Sequence, residues 1–193
     1  MKSMALLTNV KFSVKCSPIS LHTVSSKALE AGYTVIHSNN FLVLKSYFCC
    51  TIFNRRAGTP FNHVNVTKIR RLCDITKVLK ELENIGVCCR SDLLVIDNIT
   101  GQLDTRSTVN IRKLVGSKQI KTFLERYTDN ITLKIKYHNE KFPGAFLKIF
   151  KGARKLGTSI VFHSGKVVFV GSKSEKDLKC LALLTHVIIL LKF

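Results

Sequence analysis

The sequence is poor in acidic side chains. Its 193 residues include 12 Asp and Glu against 31 Lys and Arg, which gives a formal net charge of +19. Hydrophobic residues make up 46% and charged residues 22%, a globular composition that argues against a disordered tail. Both halves carry the positive charge, which excludes a basic arm on a neutral body. The excess favours a polyanionic partner, either nucleic acid or an anionic membrane surface.

Long apolar runs are also missing. Residues 4–7 are too short for the core of a signal peptide, and residues 181–191 fall well short of the roughly 20 residues that cross a bilayer. We therefore expect an intracellular protein without a membrane span, and a buried helix at residues 181–191. A membrane-surface protein is a further alternative, but its basic residues should line one face of an amphipathic helix, whereas here they are spread through the chain.

The signatures of metal sites and enzymes are absent from the sequence. The seven cysteines include two adjacent pairs, Cys49-Cys50 and Cys88-Cys89, but no four-ligand zinc spacing, so we expect reduced thiols and no metal. There is no nucleophile elbow, P-loop or dinucleotide fingerprint. A triad of His163, Ser164 and Asp177 is conceivable, but neighbouring residues of a strand or tight turn point apart. We predict a protein that is not an enzyme and has no cofactor.

What the sequence does contain is an approximate internal repeat. The strand-like run at residues 6–14 returns at residues 95–103, and residues 51–53 resemble 160–162, each run entering a hairpin. His63 and Asp74 are 11 residues apart, as are Lys166 and Asp177, and both aspartates are predicted to cap a helix. We predict two repeats, residues 1–90 and 91–193.

Each half is predicted to contain a strand, a helical segment, several antiparallel strands and a long helix. Helical spacing marks residues 75–85 and 178–191, and a helix is also predicted over residues 120–127. Ser107 or Thr108 is the expected cap of a helix that runs to Leu114. Two such halves predict an α+β protein with helices on one face of a sheet, leaving the other face wet or bound.

The open face can be followed by strand parity, because alternate residues share a face. The predicted face pairs are Asn9 with Lys11, Thr51 with Phe53, Asn65 with Thr67, Asn98 with Thr100, Ile160 with Phe162, and Val168 with Val170. Such a surface is apolar and carries amide and hydroxyl groups. These properties suit the minor groove of DNA, where A·T pairs offer acceptors and apolar side chains pack on sugars.

Several of these residues resemble the TATA-box-binding protein family. Phe142-Pro143-Gly144, the run at residues 160–168 and Gly171-Ser172-Lys173 look like the core of that family's second repeat, and residues 96–104 are similar to its opening strand. The resemblance covers residues 93–185 well and residues 6–86 weakly. It implies a pseudo-twofold saddle, a curved antiparallel sheet of two repeats with helices on the convex side. This family is the standard example of DNA kinking by inserted side chains, and the resemblance alone implies that mechanism.

The resemblance also implies roles for individual residues. Asn9 and Asn98 would donate to bases, Phe142 and Phe162 would be the wedges of the second repeat, and Phe53, with Phe41 as a second candidate, those of the first. The remaining predicted DNA contacts are Asn65, Thr67, Thr100, Ile160, Val168 and Val170. The chain departs from the family at Lys11, Asn65 and Val170, and its first hairpin is six residues longer.

The function implied is that of a transcription initiation factor that binds and bends A·T-rich promoter DNA in the minor groove. Its partners would be double-stranded DNA, initiation factors of the TFIIB and TFIIA type, and RNA polymerase. The divergence is similar to that of factors from large DNA viruses, which places it in the nucleus or a cytoplasmic viral factory. The alternative is a scaffold that keeps the fold and recruits transcription proteins but binds DNA weakly.

Overall fold

A computed structural model describes residues 6–191 of the chain. Met4 and Ala5, part of the short apolar run at the N-terminus, lie outside the described residues. The described residues divide into two compact units. The first unit is residues 9–97, and the second is residues 98–191 with residues 6–8, so the division falls within two strands of the chain.

The first unit contains a sheet with the strand order β2-β3-β4-β5-β1, and every neighbouring pair with a resolved register is antiparallel. Its elements are β1 (Leu6–Cys16), α1 (Leu21–Glu30), β2 (Thr34–His37), β3 (Phe41–Lys45), β4 (Cys49–Phe53), β5 (Asn62–Ile69) and α2 (Asp74–Asn84). Buried residues alternate with half-buried or exposed ones along β3, β4 and most of β5, as period-two strands with one covered face require. Helix α1 packs on β2 and β3.

The second unit has a similar order of elements, with two helices where the first unit has α1. It contains β6 (Cys89–Asp104), α3 (Ile111–Gly116), α4 (Lys118–Tyr127), β7 (Ile131–Lys136), β8 (Gly144–Lys151), β9 (Arg154–Phe162), β10 (Lys166–Ser172) and α5 (Glu175–Leu190). The strand order is β6-β10-β9-β8-β7, again antiparallel. Helix α5 packs on β9 and β10, α3 on β8 and α4 on β7. The buried residues of the sheet and of these helices form the core, with Phe169, Leu181 and Ile188 fully enclosed.

The predicted helix caps are wrong at three places. Helix α2 begins at Asp74 itself, whose carboxylate accepts from the Arg71 guanidinium at 2.7 Å. Ser174 caps α5 by accepting from the Asp177 N–H at 3.1 Å. In both cases the aspartate carboxylate accepts a charge-assisted bond from an arginine, Arg71 for Asp74 and Arg154 for Asp177, which is stronger than a neutral cap bond.

Helix α3 starts later than predicted, at Ile111, and its cap is Asn110. Ser107 and Thr108 cannot cap it because the segment before the helix is bonded to the β9–β10 turn. The Val109 N–H donates to the His163 carbonyl at 2.9 Å, and the Thr105 N–H donates to the Gly165 carbonyl at 3.1 Å. This long-range pairing ties Thr105 and Val109 to the turn, and Arg106 between them has a φ of +55°, so the segment does not continue the helix.

We predict that the ion pair of Asp177 with Arg154 makes the second unit sensitive to acid. Two bonds of 2.8 and 2.9 Å from the Arg154 guanidinium hold the pKa of the buried Asp177 carboxyl below its usual value. A carboxyl with a lowered folded pKa contributes stability above its unfolded pKa and loses it as the pH falls through the folded pKa. Asp177→Asn should therefore cost about 1–2 kcal/mol at pH 7, a value reduced by the exposure of Arg154.

Urea unfolding across the range from pH 7 to pH 2 checks this prediction. The difference between wild type and Asp177→Asn should shrink at the acid end, where the aspartate is protonated. Asp92→Asn is the matched control, because the side chains of its pair with Arg90 are 58% and 51% exposed and the substitution should change little. A constant difference at all pH values would contradict the prediction.

Candidate nucleic-acid interface

The second unit has a cluster of three phenylalanines on the sheet face opposite its core. The ring centroid of Phe142 lies 5.8 Å from that of Phe162 and 5.1 Å from that of Phe146. All three side chains are half-buried. Gly144 makes room for the cluster, because a Cβ there would lie 2.8 Å from Phe142 Cε1 and 3.2 Å from Phe162 Cε1. The predicted wedge residues Phe142 and Phe162 are therefore in contact.

Apolar residues continue this face across the neighbouring strands. Phe146 is in register with Ile160, and Ile160 with Val168. Val170, one step further along β10, is half-buried on the same face. Sequence reasoning missed Phe146, although its spacing of two residues from Gly144 on β8 could have identified it. We call the half-buried set Phe142, Phe146, Ile160, Phe162, Val168 and Val170 the apolar face of the second unit.

Asn98 on β6 is held by the backbone of β10. Its Oδ1 accepts from the Gly171 N–H at 2.6 Å, where the β6–β10 register is irregular and Gly171 has a φ of +83°. A backbone N–H bonds only to an acceptor, so the amide oxygen is committed and the NH₂ group is the part offered to a ligand. Thr100, two residues along, is bonded to Thr8 through their hydroxyl oxygens, 3.1 Å apart.

The amide oxygen of Asn9 in the first unit is bonded in the same way. Asn9 Oδ1 accepts from the Lys68 N–H at 2.8 Å, beside an irregularity in the β1–β5 register. Lys68 has a φ of +67°, a left-handed conformation that is costly for any residue except glycine. Lys68 therefore occupies the place that Gly171 has in the second unit. The two asparagines and their two bulges are the most detailed correspondence between the units.

The first unit also carries a phenylalanine pair on the open face of its sheet. Phe41 is in register with Phe53, and their ring centroids are 6.5 Å apart. Phe53 also contacts the ring of His63, at 6.1 Å. The second candidate wedge, Phe41, is thus placed against the first.

The next rows of this face are more polar than those of the second unit. Thr51 is in register with Asn65, which in turn is in register with Ser13. Thr67 lies opposite Cys49, and its hydroxyl donates to the Cys49 carbonyl at 3.5 Å. The polar face of the first unit is defined as Asn9, Lys11, Ser13, Phe41, Thr51, Phe53, Asn65 and Thr67, all half-buried.

The conceivable enzyme groups have other partners. His163 Nδ1 lies 2.9 Å from the Val109 carbonyl oxygen, and the Asp177 carboxylate is bonded to Arg154. Within residues 6–191, no group of three or more His, Cys, Asp or Glu side chains is placed to hold a metal ion. Burial raises the pKa of the Cys16 thiol to about 11 and that of Cys89 to about 12, so both are protonated at neutral pH.

No helix among the described residues combines the length and the apolar character needed to cross a membrane.

Comparison with known proteins gives one family and one fold. Residues 94–192 match the family model described as transcription factor TFIID, or TATA-binding protein (TBP). The chain is similar in structure to the Methanococcus jannaschii TBP, with a TM-score of 0.61 and 21% identity over 96% of this chain and 98% of that chain. The predicted α+β fold, an antiparallel sheet with helices, is thereby confirmed.

Other comparisons add little. The regulatory subunit of aspartate kinase from Thermus thermophilus is 9% identical over 95% of this chain and 99% of that chain, and its TM-score of 0.26 is too low to carry an argument. No curated protein matches the chain. The family model spans just over half of the residues, including the whole phenylalanine cluster and Asn98, and on that match the chain belongs to the TATA-binding protein family.

Proposed function

We propose that this protein binds A·T-rich promoter DNA in the minor groove and bends it, as a TATA-binding-protein-like factor in transcription initiation. The observation that carries the proposal is the arrangement present in both units: an asparagine whose amide oxygen is bonded to a bulged strand, and a phenylalanine pair on the open face. The proposed DNA contacts are Asn9, Phe53, Asn65, Thr67, Asn98, Thr100, Phe142, Ile160, Phe162, Val168 and Val170.

The chemistry of these groups suits an A·T-rich minor groove. That groove offers only acceptors at A·T pairs, adenine N3 and thymine O2, whereas a G·C pair adds an amino donor. An asparagine that presents its NH₂ group can donate to these acceptors. The NH₂ group cannot accept a hydrogen bond from the guanine amino group, because both groups are donors. The apolar face would pack on the sugars, and the phenylalanine pairs would enter between base steps.

The net charge of +19 would supply affinity without sequence preference. Each phosphate neutralised by Lys or Arg releases condensed counterions, so binding should weaken steeply as salt rises. Base contacts and deformation would then supply the preference for A·T. The net charge would thus supply affinity, and the open sheet faces would supply the preference for A·T pairs.

The proposal extends to repeats, partners and location. The chain would consist of two diverged repeats, residues 1–90 and 91–193, and the partners would be TFIIB- and TFIIA-type factors and RNA polymerase. The 21% identity with an archaeal TBP fits a divergent branch. We propose that this branch belongs to a large DNA virus and that the protein acts in the nucleus or a cytoplasmic viral factory.

The test of base reading is Asn98→Asp. This change keeps the acceptor for the Gly171 N–H but replaces the NH₂ donor with a second oxygen that groove acceptors repel. We expect affinity for an A·T-rich duplex to fall about ten- to a hundredfold, since a good base contact is worth about 1–3 kcal/mol. Gel shifts or fluorescence anisotropy on A·T-rich and G·C-rich duplexes at fixed salt measure the effect.

Asn110→Asp is the matched control for the charge change. Asn110 caps α3 through its Oδ1, which accepts from the Lys113 N–H, and aspartate caps a helix equally well. We expect the control to stay within a few-fold of wild type. Equal losses for the two variants would mean that Asn98 contributes only charge.

A scaffold with weak DNA binding is the second candidate function. It is favoured by Lys11, a half-buried cation on the polar face of the first unit, and by Val170, which has no hydrogen-bonding group where the first unit has Thr67. The same duplex comparison discriminates the two functions. A wild-type protein without A·T preference would support the scaffold and overturn the minor-groove proposal.

A further inference from the structure

The first unit contains a cleft of about 890 Å³ beside its polar face. The outer wall is the loop between β4 and β5, residues 54–61, and the inner wall includes Phe53 and Asn65. In the second unit, residues 163–165 make the corresponding connection. We call this feature the loop cleft. Two proposed DNA contacts, Phe53 and Asn65, are among its lining residues. Its outer wall is the segment by which the β4–β5 hairpin exceeds the β9–β10 hairpin of the second unit in length.

The loop cleft is lined by cations without carboxylates. Its described lining contains the cations Lys15, Arg55 and Arg56, together with the His63 ring, and no Asp or Glu. Neutral donors accompany them on the amides of Asn40, Asn54 and Asn65. A site with this lining attracts an anion and repels a cation.

Among the described residues, the two arginines of the cleft are not neutralised by a carboxylate, unlike three arginines that pair with an aspartate. Arg71, Arg90 and Arg154 each form a pair with an aspartate. Arg55 and Arg56 are exposed, and within the described part of the chain neither has an ion-pair partner at 4.0 Å or less. Two adjacent guanidinium groups repel each other, and a phosphate oxygen is the partner that their planar donors bind in pairs.

Hydrogen bonds fix the conformation of the loop against the sheet. Asn62, only 1% exposed, donates through Nδ2 to the Phe53 carbonyl at 2.9 Å and accepts from the Ile19 N–H at 3.2 Å. The Thr59 hydroxyl donates to the Arg56 carbonyl at 2.8 Å. The cleft is therefore largely preformed, which lowers the entropy lost on binding.

The ring of Phe61, which lines the cleft, lies against Lys15 of the lining and against a further cation, Arg90. The Lys15 Nζ lies 5.7 Å from its ring centroid, and the Arg90 Cζ lies 5.9 Å away. With cations over the ring, Phe61 positions charge and is poorly available to stack on a base. This arrangement favours the phosphodiester backbone over a nucleobase as the occupant.

We propose that the loop cleft binds the phosphodiester backbone of the DNA that flanks the minor-groove site, on the side of the first unit only. This inference rests on the proposed function for its DNA, but it concerns affinity and the extent of contact rather than base reading. The short connection at residues 163–165 supplies no equivalent wall, so the added contact is one-sided.

The test is the salt dependence of binding by full-length Arg55→Gln/Arg56→Gln. Removal of two phosphate contacts should make the slope of log K against log salt less negative by about 2, since each contact contributes about 0.9. The ratio of A·T to G·C affinity should stay unchanged. A hydroxyl-radical footprint on a duplex with one A·T-rich site should lose protection at one end only.

The matched control is Arg112→Gln/Lys113→Gln, another adjacent pair of exposed cations, on α3. Its slope and footprint should equal those of wild type. An unchanged slope for the arginine pair, or an equal change for both pairs, would overturn the proposal. Circular dichroism verifies that both variants are folded.

Two further outcomes separate this inference from the proposed function. If wild type shows no A·T preference but the arginine pair still reduces the slope, the minor-groove function fails and the cleft stands as a site for duplex backbone. If the preference is present and the slope is unchanged, the function stands and the cleft proposal fails. Inorganic phosphate is the remaining probe: if it raises the melting temperature of wild type only and the duplex slope is unchanged, the cleft binds a free anion instead of a strand.

Discussion

Phe142→Ala/Phe162→Ala is expected to remove the kink that the second unit makes and to leave the one made by Phe41 and Phe53 of the first unit. The two rings are in contact on the apolar face of the second unit, and both are half-buried, so truncation removes the wedge without opening the core. Inserted side chains kink a duplex by roughly 20–90°. Fluorescence resonance energy transfer between the ends of an A·T-rich duplex should therefore report a bend about half that of the wild-type complex.

Affinity for that duplex should fall about a hundredfold, because stacking of an aromatic ring on a base is worth about 1–3 kcal/mol. Leu183→Ala/Leu190→Ala is the matched control. It truncates two large apolar side chains on α5 that are 65% and 56% exposed, and it should leave bending intact. If the phenylalanine variant bends the duplex as wild type does, these rings are not wedges.

Gly165→Ala is expected to cost the second unit about 3 kcal/mol of unfolding free energy. Gly165 has a φ of +82°, where a Cβ costs roughly 1–2 kcal/mol. That Cβ would also overlap the Ser107 carbonyl oxygen and lie 2.5 Å from Thr105 Oγ1. Overpacking of this kind typically adds about 1–3 kcal/mol. Urea denaturation measures the loss.

Gly152→Ala separates the two causes. Gly152 also has a positive φ, +58°, but no atom lies within 4 Å of its added Cβ, so this variant should show the backbone cost alone. The excess loss at Gly165 is then the steric part. Equal losses at the two sites would contradict the tight packing of the β9–β10 turn against residues 105–107.

The order of elements was predictable because it depends on local periodicity. Alternating apolar residues predicted the hairpin strands, and helical spacing predicted residues 75–85 and 120–127 to within two residues of α2 and α4. Strand parity also placed Ile160 and Phe162 on one face with Val161 between them in the core, as observed. The family resemblance extended this reading to roles that periodicity does not contain.

Helix starts were less predictable, since caps depend on what competes for the side chain. Asp177 is of a residue type that caps helices and lies at the expected spacing. Its carboxylate, however, accepts from the guanidinium of Arg154, 23 residues away in sequence. Ser107 and Thr108 precede a helix, but the backbone of the β9–β10 turn bonds their segment. In each case the deciding partner is distant in sequence.

The scarcity of acidic residues, the surplus of Lys and Arg and the alternation along the strands are properties of the sequence itself, and they determined a basic α+β protein with an uncovered sheet face. Only the tertiary structure decided which hydrogen-bonding groups, rings and charges lie together on and beside that face. It bonds the amide oxygens of Asn9 and Asn98 to bulged backbone, brings Phe146 to Phe142, and places the exposed Arg55 and Arg56 at a cleft whose described lining has no carboxylate. The reason is physical: composition and periodicity are properties of single residues and their near neighbours in sequence. The partner of a hydrogen bond or a charge is instead set by contacts between residues far apart in sequence.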